Sequence, residues 1–313
     1  FLQVKINGDV ALLKIILKLL WEKEQKFPGT IFDHEFINSN TLGYDDFIKD
    51  LETYSIEELI PQTGIDFEII KEAATLIAAK KKIIICWAMG LTQHKNSVDN
   101  IREVVNLLLV KGSIGKQGAG TCPVRGHSNV QGDRTMGIWE KPKKEFLDNL
   151  EKEFNFKAPR KNGHDVVDAI EAMHQKKAKV FIGMGGNFLS ATPDTEYTAE
   201  ALQNCELTVH VSTKLNRSHL IHGKKALILP CLGRSEKDIQ EKGVQFVSVE
   251  NSMGVVHSSS GHVAPLSESL LSEPAIVAGM AKASLSNITL NWSELIKDYD
   301  NIRNKIEATI PGF

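Results

Sequence analysis

Cysteine is scarce in this chain. Four occur among 313 residues, at Cys86, Cys122, Cys205 and Cys231. No two have the C-x₂-C spacing of iron–sulfur or structural zinc sites. No metal ligand is therefore assigned within the chain, and the cysteines read as reduced, mostly buried thiols of a cytoplasmic protein. Long apolar runs are missing too, so no segment reaches membrane-spanning length. The most apolar early stretch, residues 12–20, is interrupted by Lys14 and Lys18 and has no small-residue cleavage site. It reads as an amphipathic helix and not as a targeting segment. Charge of one sign is absent as well. Lys and Arg number 37 against 39 Asp and Glu, a net charge of −2, which gives no field for nucleic acid or an anionic membrane. There is no His-Glu-x-x-His, no Ser–His–Asp context and no paired-carboxylate signature. An initiating Met is also lacking. The chain opens on Phe1 inside what reads as a strand, which predicts a piece of a longer protein.

What is present is ordinary globular composition, 42% hydrophobic and 24% charged, over a length that allows about two domains. Short apolar runs alternate with helical patterns. Residues 2–6 predict a strand and residues 10–20 a helix. Asp66 predicts the N-cap of a helix that carries Ile69, Ile70, Ala73 and Ile77 on one side and ends at Lys80-Lys81-Lys82. Residues 83–86 are wholly apolar, as in a buried parallel strand. Residues 98–110 predict a helix that Gly112 stops. In the second half, helices are expected at 166–173, 198–203 and 273–283, and strands at 179–182, 207–211, 226–229 and 244–249. This alternation predicts α/β architecture, two Rossmann-like three-layer units with mostly parallel sheets. The Gly-rich, charged stretch 112–161 reads as the joint, giving units 1–125 and 126–313.

The strand ends carry the functional signal. Asn7-Gly8-Asp9 follows the first run and Met89-Gly90-Leu91-Thr92-Gln93-His94 follows the strand at 83–86. Gly183-Met184-Gly185-Gly186-Asn187, Ser212-Thr213-Lys214, Pro230-Cys231-Leu232-Gly233-Arg234 and Glu250-Asn251 follow the later ones. Parallel sheets bind ligands beyond the carboxyl ends of their strands. Glycine lets the backbone approach a ligand, and free amides with Ser, Thr and Asn side chains bind phosphate oxygens. Six such loops suit a ligand larger than a mononucleotide. Lys214, Arg217 and His219 are candidates to neutralise a pyrophosphate, and Asn187 and Asn251 to hydrogen-bond a nucleotide. A nicotinamide dehydrogenase with two Rossmann units is the alternative. Against it, Phe188 breaks a G-x-G-x-x-G pattern, and Ser212-Thr213 stands where a ribose-binding acid belongs. A non-catalytic remnant of the fold is the other alternative.

Residues 120–132, Gly-Thr-Cys-Pro-Val-Arg-Gly-His-Ser-Asn-Val-Gln-Gly, resemble the G-x-x-P-V-R-G-x-x-N-V-Q-G signature of molybdopterin oxidoreductases of the formate dehydrogenase type. Gly90-Leu91-Thr92-Gln93-His94 is similar to the family's G-[ILV]-T-Q-H loop. Residues 112–120 resemble its G-N-I-G-K-P-G-A-G turn, and Asn7-Gly8-Asp9-Val10-Ala11 its G-[TS]-D-x-A loop. Residues 36–44, Gly185-Gly186-Asn187, and Ile228-Leu229-Pro230 with Glu236 match further stretches.

The resemblance implies a formate-dehydrogenase-like alpha subunit of which this is an internal fragment, with the α/β units as its central domains. It implies molybdenum held by two molybdopterin guanine dinucleotides and a two-electron oxidation of formate or a similar small substrate. The metal-ligating residue and any iron–sulfur cluster then lie outside this chain, and the electron-transfer partner is unspecified. Catalytic roles fall on Arg125 and His127. Cofactor contacts fall on Gly8, Asp9, Gly90, Thr92, Gln93, Gly126, Asn129, Gln131, Gly185, Gly186, Asn187, Ser212, Lys214, Arg217, His219 and Asn251. His127 stands where formate dehydrogenases often have Gln, and residues 241–254 depart from the family's E-G-T-F-x-N-x-E-x-R pattern. Both departures bear on the substrate.

A forked guanidinium at position 125 can grip a carboxylate through two donors, which a lysine cannot. In the intact enzyme, Arg125→Lys is expected to lower kcat/KM by roughly 10²–10³, the usual loss for one transition-state-directed donor, with molybdenum content unchanged. Paired metal analysis and kinetics on one sample check this. Wild-type activity per bound molybdenum would make Arg125 architectural.

Overall fold

The computed structural model describes the chain apart from Arg125, Ser128, Ser252 and Asn287. The chain divides into two compact units, Phe1–His127 and Ser128–Phe313.

The first unit is mostly helical. In order it contains α1 (Asp9–Lys26), α2 (His34–Asn40), α3 (Tyr44–Thr53), α4 (Ile56–Thr63), α5 (Phe67–Ala78), β1 (Ile84–Trp87), α6 (Met89–Thr92), α7 (Ser97–Val110) and β2 (Gly120–Pro123). Side-chain caps start three of the helices: Asp33 accepts from the Phe36 amide, Ser55 from Glu58 and Asp66 from Glu68. Such caps satisfy amides that the first turn leaves without partners. Helix α1 buries Ala11, Ile15, Ile16, Leu17 and Leu20, at roughly one-turn spacing. They join one core with Leu51 of α3, Leu59 of α4, Ile70 of α5 and Leu107 of α7.

Two charges sit inside this helical layer. Lys14 is only 6% exposed, and its Nζ lies 2.9 Å from Glu103 and 3.2 Å from Asp50. Burial alone would lower its pKa, but the two carboxylates outweigh burial and raise it. Glu24, 2% exposed, closes the turn after α1. Its carboxylate accepts from the amides of Gly29, Ile31 and Phe32, and from His34 Nε2 at 2.7 Å. Burial opposes ionisation, yet these donors prevail and bring the Glu24 pKa down to about 2.

The second unit runs α8 (Val130–Thr135), α9 (Lys144–Phe154), α10 (Val166–His174), β3 (Val180–Met184), α11 (Phe188–Ala191), α12 (Thr195–Gln203) and β4 (Leu207–Ser212). A 3₁₀ turn (Arg217–Leu220), β5 (Lys225–Pro230), β6 (Ile239–Gln240), β7 (Gly243–Val244), β8 (Val247–Glu250) and β9 (Val256–Ser259) follow. Helices α13 (Glu273–Ser284), α14 (Trp292–Lys297) and α15 (Asp300–Thr309) complete it. Strands β3, β4 and β5 form a parallel sheet with β4 in the middle, and β1 and β2 pair in parallel in the first unit. The α/β architecture with parallel sheets is thus present. The hairpins β6–β7 and β8–β9 are antiparallel. Central β4 is nearly enclosed, whereas Val180, Ile182 and Met184 of β3 and Leu227 of β5 are about half exposed.

Three expectations need correction. Residues 2–6 are not a strand: Lys5 donates its amide to Thr63 O at 2.8 Å, and Leu2 and Val4 pack on the helical core instead of along a sheet edge. The strand expected at 244–249 is split between β7 and β8. Buried Gln245 interrupts it, donating to Gly243 O at 3.1 Å and accepting from the Tyr299 amide at 2.8 Å. The thiols are not mostly buried either: Cys205 and Cys231 are, but Cys86 and Cys122 are exposed.

The pKa of Glu24 falls from 4.5 to about 2 on folding, a difference worth about 3 kcal/mol. A depressed carboxyl pKa stabilises the fold above the unfolded value, and this contribution drains away as pH falls from about 4.5 toward 2. In the intact polypeptide, Glu24→Gln is expected to lower stability near neutrality and to flatten the acid limb over that window. Urea unfolding at a series of pH values reads both. An unchanged acid limb would remove Glu24 from this role.

Candidate functional site

The register of the second unit's sheet aligns its loops. Met184 pairs with Val211, which pairs with Leu229, so β3, β4 and β5 end side by side. The chain turns at once after β3. Gly185 donates its amide to Val211 O at 2.8 Å. Gly185 and Gly186 then take φ values of +67° and +70°, a region that side chains enter only with strain. A Cβ on either would find no heavy atom within 4 Å. Among the described residues, no group accepts from the amides of Gly186 and Asn187. This is a backbone surface with free donors and open space above it.

The loop after β4 braces that surface. Asn216 Nδ2 donates to Gly186 O at 2.7 Å, while its Oδ1 accepts from the Ser218 amide at 3.0 Å. Ser218 Oγ donates to Asn187 Oδ1 at 2.8 Å and accepts from the Leu189 amide at 2.9 Å. Ser212 is buried, and its hydroxyl turns back onto Lys214 O at 3.1 Å. The Lys214 and Arg217 side chains are exposed on the same loop, and neither has an ionic partner among the described residues.

His219 is placed differently. It is 9% exposed, and its Nδ1 accepts from the Asn216 amide at 3.0 Å, so the ring completes a cap. Its Nε2 is buried without a partner among the described residues, as is that of His210, whose ring lies 4.7 Å away. Burial, then the neighbouring His219, lowers the His210 pKa. The structure gives His219 a bracing position beneath the loop and leaves Lys214 and Arg217 as its outward cations.

The loop after β5 is tied by Glu236. Its carboxylate accepts from the Gly233 amide at 2.6 Å and the Leu266 amide at 2.7 Å, and these bonds lower its pKa. A cleft of about 390 Å³ opens here, with Thr213, Arg234, Asp238, Gln245 and Ser260 among its walls. That volume lies within the range of small-ligand sites.

In the first unit, β1 and β2 run in register from Ile84 with Gly120 to Trp87 with Pro123. Gly90 and Thr92 lie on α6 and Gln93 is its C-cap, directly beyond β1. Fully buried Asn100 on α7 holds this loop by donating to Leu91 O at 2.9 Å. His94 Nε2 reaches Gly90 O at 2.6 Å. A Cβ on Gly126, beyond β2, would lie 3.1 Å from the Met89 side chain, so the two loops are neighbours. His127 is exposed there, and Arg125 lies outside the described residues. Gly8 and Asp9 stand apart from these strand ends in one respect: Gly8 caps α1 against α4, where a Cβ would meet Gln62 O at 2.7 Å. The Asp9 carboxylate itself occupies the first turn of α1, where the helix dipole favours a negative charge.

Asn129 and Gln131 fall in the second unit. Asn129 adopts φ +66° and its Oδ1 accepts from the Glu250 amide at 2.9 Å. Gly132 must be small, because a Cβ there would lie 2.0 Å from Asn129 Oδ1. Thr135 Oγ1 adds a bond to the Glu250 carboxylate at 2.7 Å. Gln131 is exposed on α8. Asn251 is not at a parallel strand end: its Oδ1 accepts from Met253 and Val255 at the tip of the β8–β9 hairpin. Sequence reasoning did not single out Asn100, Asn216, Ser218 or Asp238 as site residues. The available signal for Asn100 was a polar residue on the core face of an otherwise apolar helix.

The family model described as Molybdopterin oxidoreductase matches residues 35–221, well over half of the chain and across both units. This chain belongs to the molybdopterin oxidoreductase family. An uncharacterized oxidoreductase of Mycobacterium tuberculosis is 48% identical over 313 residues, covering 100% of this chain and 40% of the relative. The F420-dependent formate dehydrogenase 1 subunit alpha of Methanococcus maripaludis is 28% identical over 244 residues, covering 76% of this chain and 35% of the subunit. Among solved structures, the acetylene hydratase of Pelobacter acetylenicus matches with a TM-score of 0.54 at 17% identity, over 89% of this chain and 40% of that one. That likeness shows the fold. The chain spans about 40% of the length of the Mycobacterium relative. Membership implies a molybdopterin cofactor.

The strut between the β3 and β4 loops can be tested directly. Asn216→Ala removes the donor to Gly186 O and the acceptor for Ser218, a local loss of about 1–2 kcal/mol. Hydrogen exchange of the bonded Gly185 and Ser218 amides is expected to quicken by about tenfold or more, since each ~1.4 kcal/mol is a factor of ten. Asn216→Asp keeps the acceptor and is expected to loosen the Gly186 side more than the Ser218 side. Unchanged exchange in both variants would show that the loops do not depend on Asn216.

Proposed function

We propose that the intact protein is a molybdenum oxidoreductase that carries out two-electron oxidation of a small substrate such as formate. This chain would supply walls for a bis(molybdopterin guanine dinucleotide) cofactor. The observation that carries the reading is the braced glycine turn after β3, with free Gly186 and Asn187 amides and open space over both glycines. Free backbone amides in left-handed turns suit phosphate oxygens.

The residues fit a dinucleotide in kind. Gly185, Gly186 and Asn187 would donate to a pyrophosphate, and exposed Lys214 and Arg217 would balance its charge. The cleft beside Thr213, Arg234 and Asp238 has room and polar groups for a nucleoside. Ser212, its hydroxyl turned to Lys214 O, fixes the direction of that loop. In the first unit, Gly90, Thr92, Gln93 and Gly126 would present backbone and polar groups at the ends of β1 and β2. Asn129 would orient the signature segment through its bond to the Glu250 amide. Bound molybdenum would accept the electron pair and supply the redox chemistry. Arg125 would orient an anionic substrate, and His127 would move a proton at its ring nitrogens. Formate is favoured as the substrate class by the resemblance of the 120–132 signature and by the Methanococcus relative.

The test uses the full-length protein from a host that makes the cofactor. Molybdenum or tungsten, and guanine nucleotide released on acid hydrolysis, are expected in the wild type. Lys214→Glu with Arg217→Glu should lower the released nucleotide by about tenfold or more, corresponding to ~1.4 kcal/mol of lost binding. A wild-type protein without metal would sink the cofactor assignment. Full nucleotide content in the charge-reversed variant would sink the assigned place of the pyrophosphate.

A further inference from the structure

Two thiols outside the proposed contacts face each other on the first unit's sheet. Cys86 of β1 and Cys122 of β2 are Cα partners in the parallel register. Partnered residues of adjacent strands project from the same face of a sheet. Ile84 and Cys86 are exposed along β1, while Ile85 and Trp87 between them are half-buried. Cys122 is exposed as well. The remaining two cysteines, Cys205 and Cys231, are buried and lie in the other unit. We propose that Cys86 and Cys122 form a reversible disulfide between β1 and β2, a redox-sensitive site at the roots of the two loops that carry Gly90 and Gly126.

Strand spacing permits the bond. Adjacent strands lie about 4.7–4.9 Å apart, within the range of about 4.4–6.8 Å between the Cα atoms of disulfide-bonded cysteines. The Cβ atoms of partners in a parallel pair stand at nearly the strand spacing, farther apart than the ~3.8 Å of a relaxed disulfide. Closing the bond therefore draws the strands together and stores strain, which makes the disulfide readily reduced. This is the character of a switch more than of a permanent staple. In the reduced state the neighbouring Cys122 thiol, with some burial, raises the Cys86 pKa.

The chemistry balances with glutathione disulfide as oxidant. One thiol loses its proton and attacks a sulfur of glutathione disulfide, expelling a glutathione thiolate. The second thiol loses its proton and attacks the protein sulfur of the mixed disulfide, expelling the second glutathione. Two electrons pass from the cysteine pair to one glutathione disulfide, which becomes two glutathione thiols. Cys86 lies four residues before Gly90, and Cys122 four residues before Gly126. Drawing β1 and β2 together therefore moves the base of both loops. The inference stands on register and exposure and does not depend on which cofactor the protein holds.

The experiment equilibrates the intact full-length protein in reduced and oxidised glutathione mixtures, quenches with acid, alkylates and maps peptides by mass. In the oxidised mixtures, a cross-linked peptide pair containing Cys86 and Cys122 is expected, lighter by two hydrogens than the reduced pair. It should revert in excess reduced glutathione. Cys86→Ser and Cys122→Ser should each abolish the cross-link and leave the surviving thiol as a glutathione adduct. Should either variant fold poorly, the wild-type titration decides alone. Free, alkylatable Cys86 and Cys122 across the whole range would overturn the proposal, and so would separate glutathione adducts on both residues without a cross-link. Pairing of either residue with Cys205 or Cys231 would overturn it as well.

Discussion

The register of β3, β4 and β5 is the constraint on which the candidate site depends. Met184, Val211 and Leu229 lie in line across the sheet, so three polar loops emerge at one edge. A shift of one residue would turn every side chain of a strand to the other face. It would also remove the Gly185 amide from Val211 O, the bond that starts the glycine turn. Asn216 and Ser218 act after that alignment is made. They convert neighbouring loops into one surface by joining the β4 loop to Gly186, Asn187 and Leu189.

The two units meet their polar obligations in different ways. The first encloses charge within its helical layer. Glu24 gathers three amides and His34, Lys14 lies between Glu103 and Asp50, and Lys111 donates to the carbonyls of Ile31 and Ala78. Each buried charge has its partners, as burial requires. Burial lowers the Lys111 pKa, while the Glu24 carboxylate opposes that shift. The second unit uses neutral amides and hydroxyls at its sheet edge and leaves the cations of Lys214 and Arg217 in solvent. Enclosed ion pairs mark the first unit, although one Glu103 oxygen has no hydrogen-bond partner among the described residues, and an open edge with free donors marks the other.

Much of this was legible in the chain. Helix α5 was marked by Asp66 and its apolar spacing, α7 by its periodicity and Gly112, and β3, β4 and β5 by short apolar runs. The glycine turn was visible because Gly185, Gly186 and Asn187 follow such a run. The parts that were hidden had non-local causes. Residues 2–6 have strand-like composition but meet Thr63 and a helical core. Strand β2 was masked by Gly120 and Pro123 at its ends. Asn251 looked like a strand-end ligand because the hairpin that it caps depends on β9. His219 looked like an outward cation, yet the Asn216 amide turns it inward. Exposure of Cys86 and Cys122 could not be read from their apolar surroundings, because it depends on which face of β1–β2 the helices cover.

The half-exposed apolar side chains of β3 and β5 have a consequence for how the protein is made. Val180, Ile182, Met184 and Leu227 present oily surface on the two outer strands of this sheet. Such a surface promotes clumping in a newly made chain until something covers it. A newly made chain therefore has this sheet to cover before it meets others like itself. The outcome turns on chain concentration and on the help of holding chaperones, independently of how well the finished site performs its chemistry.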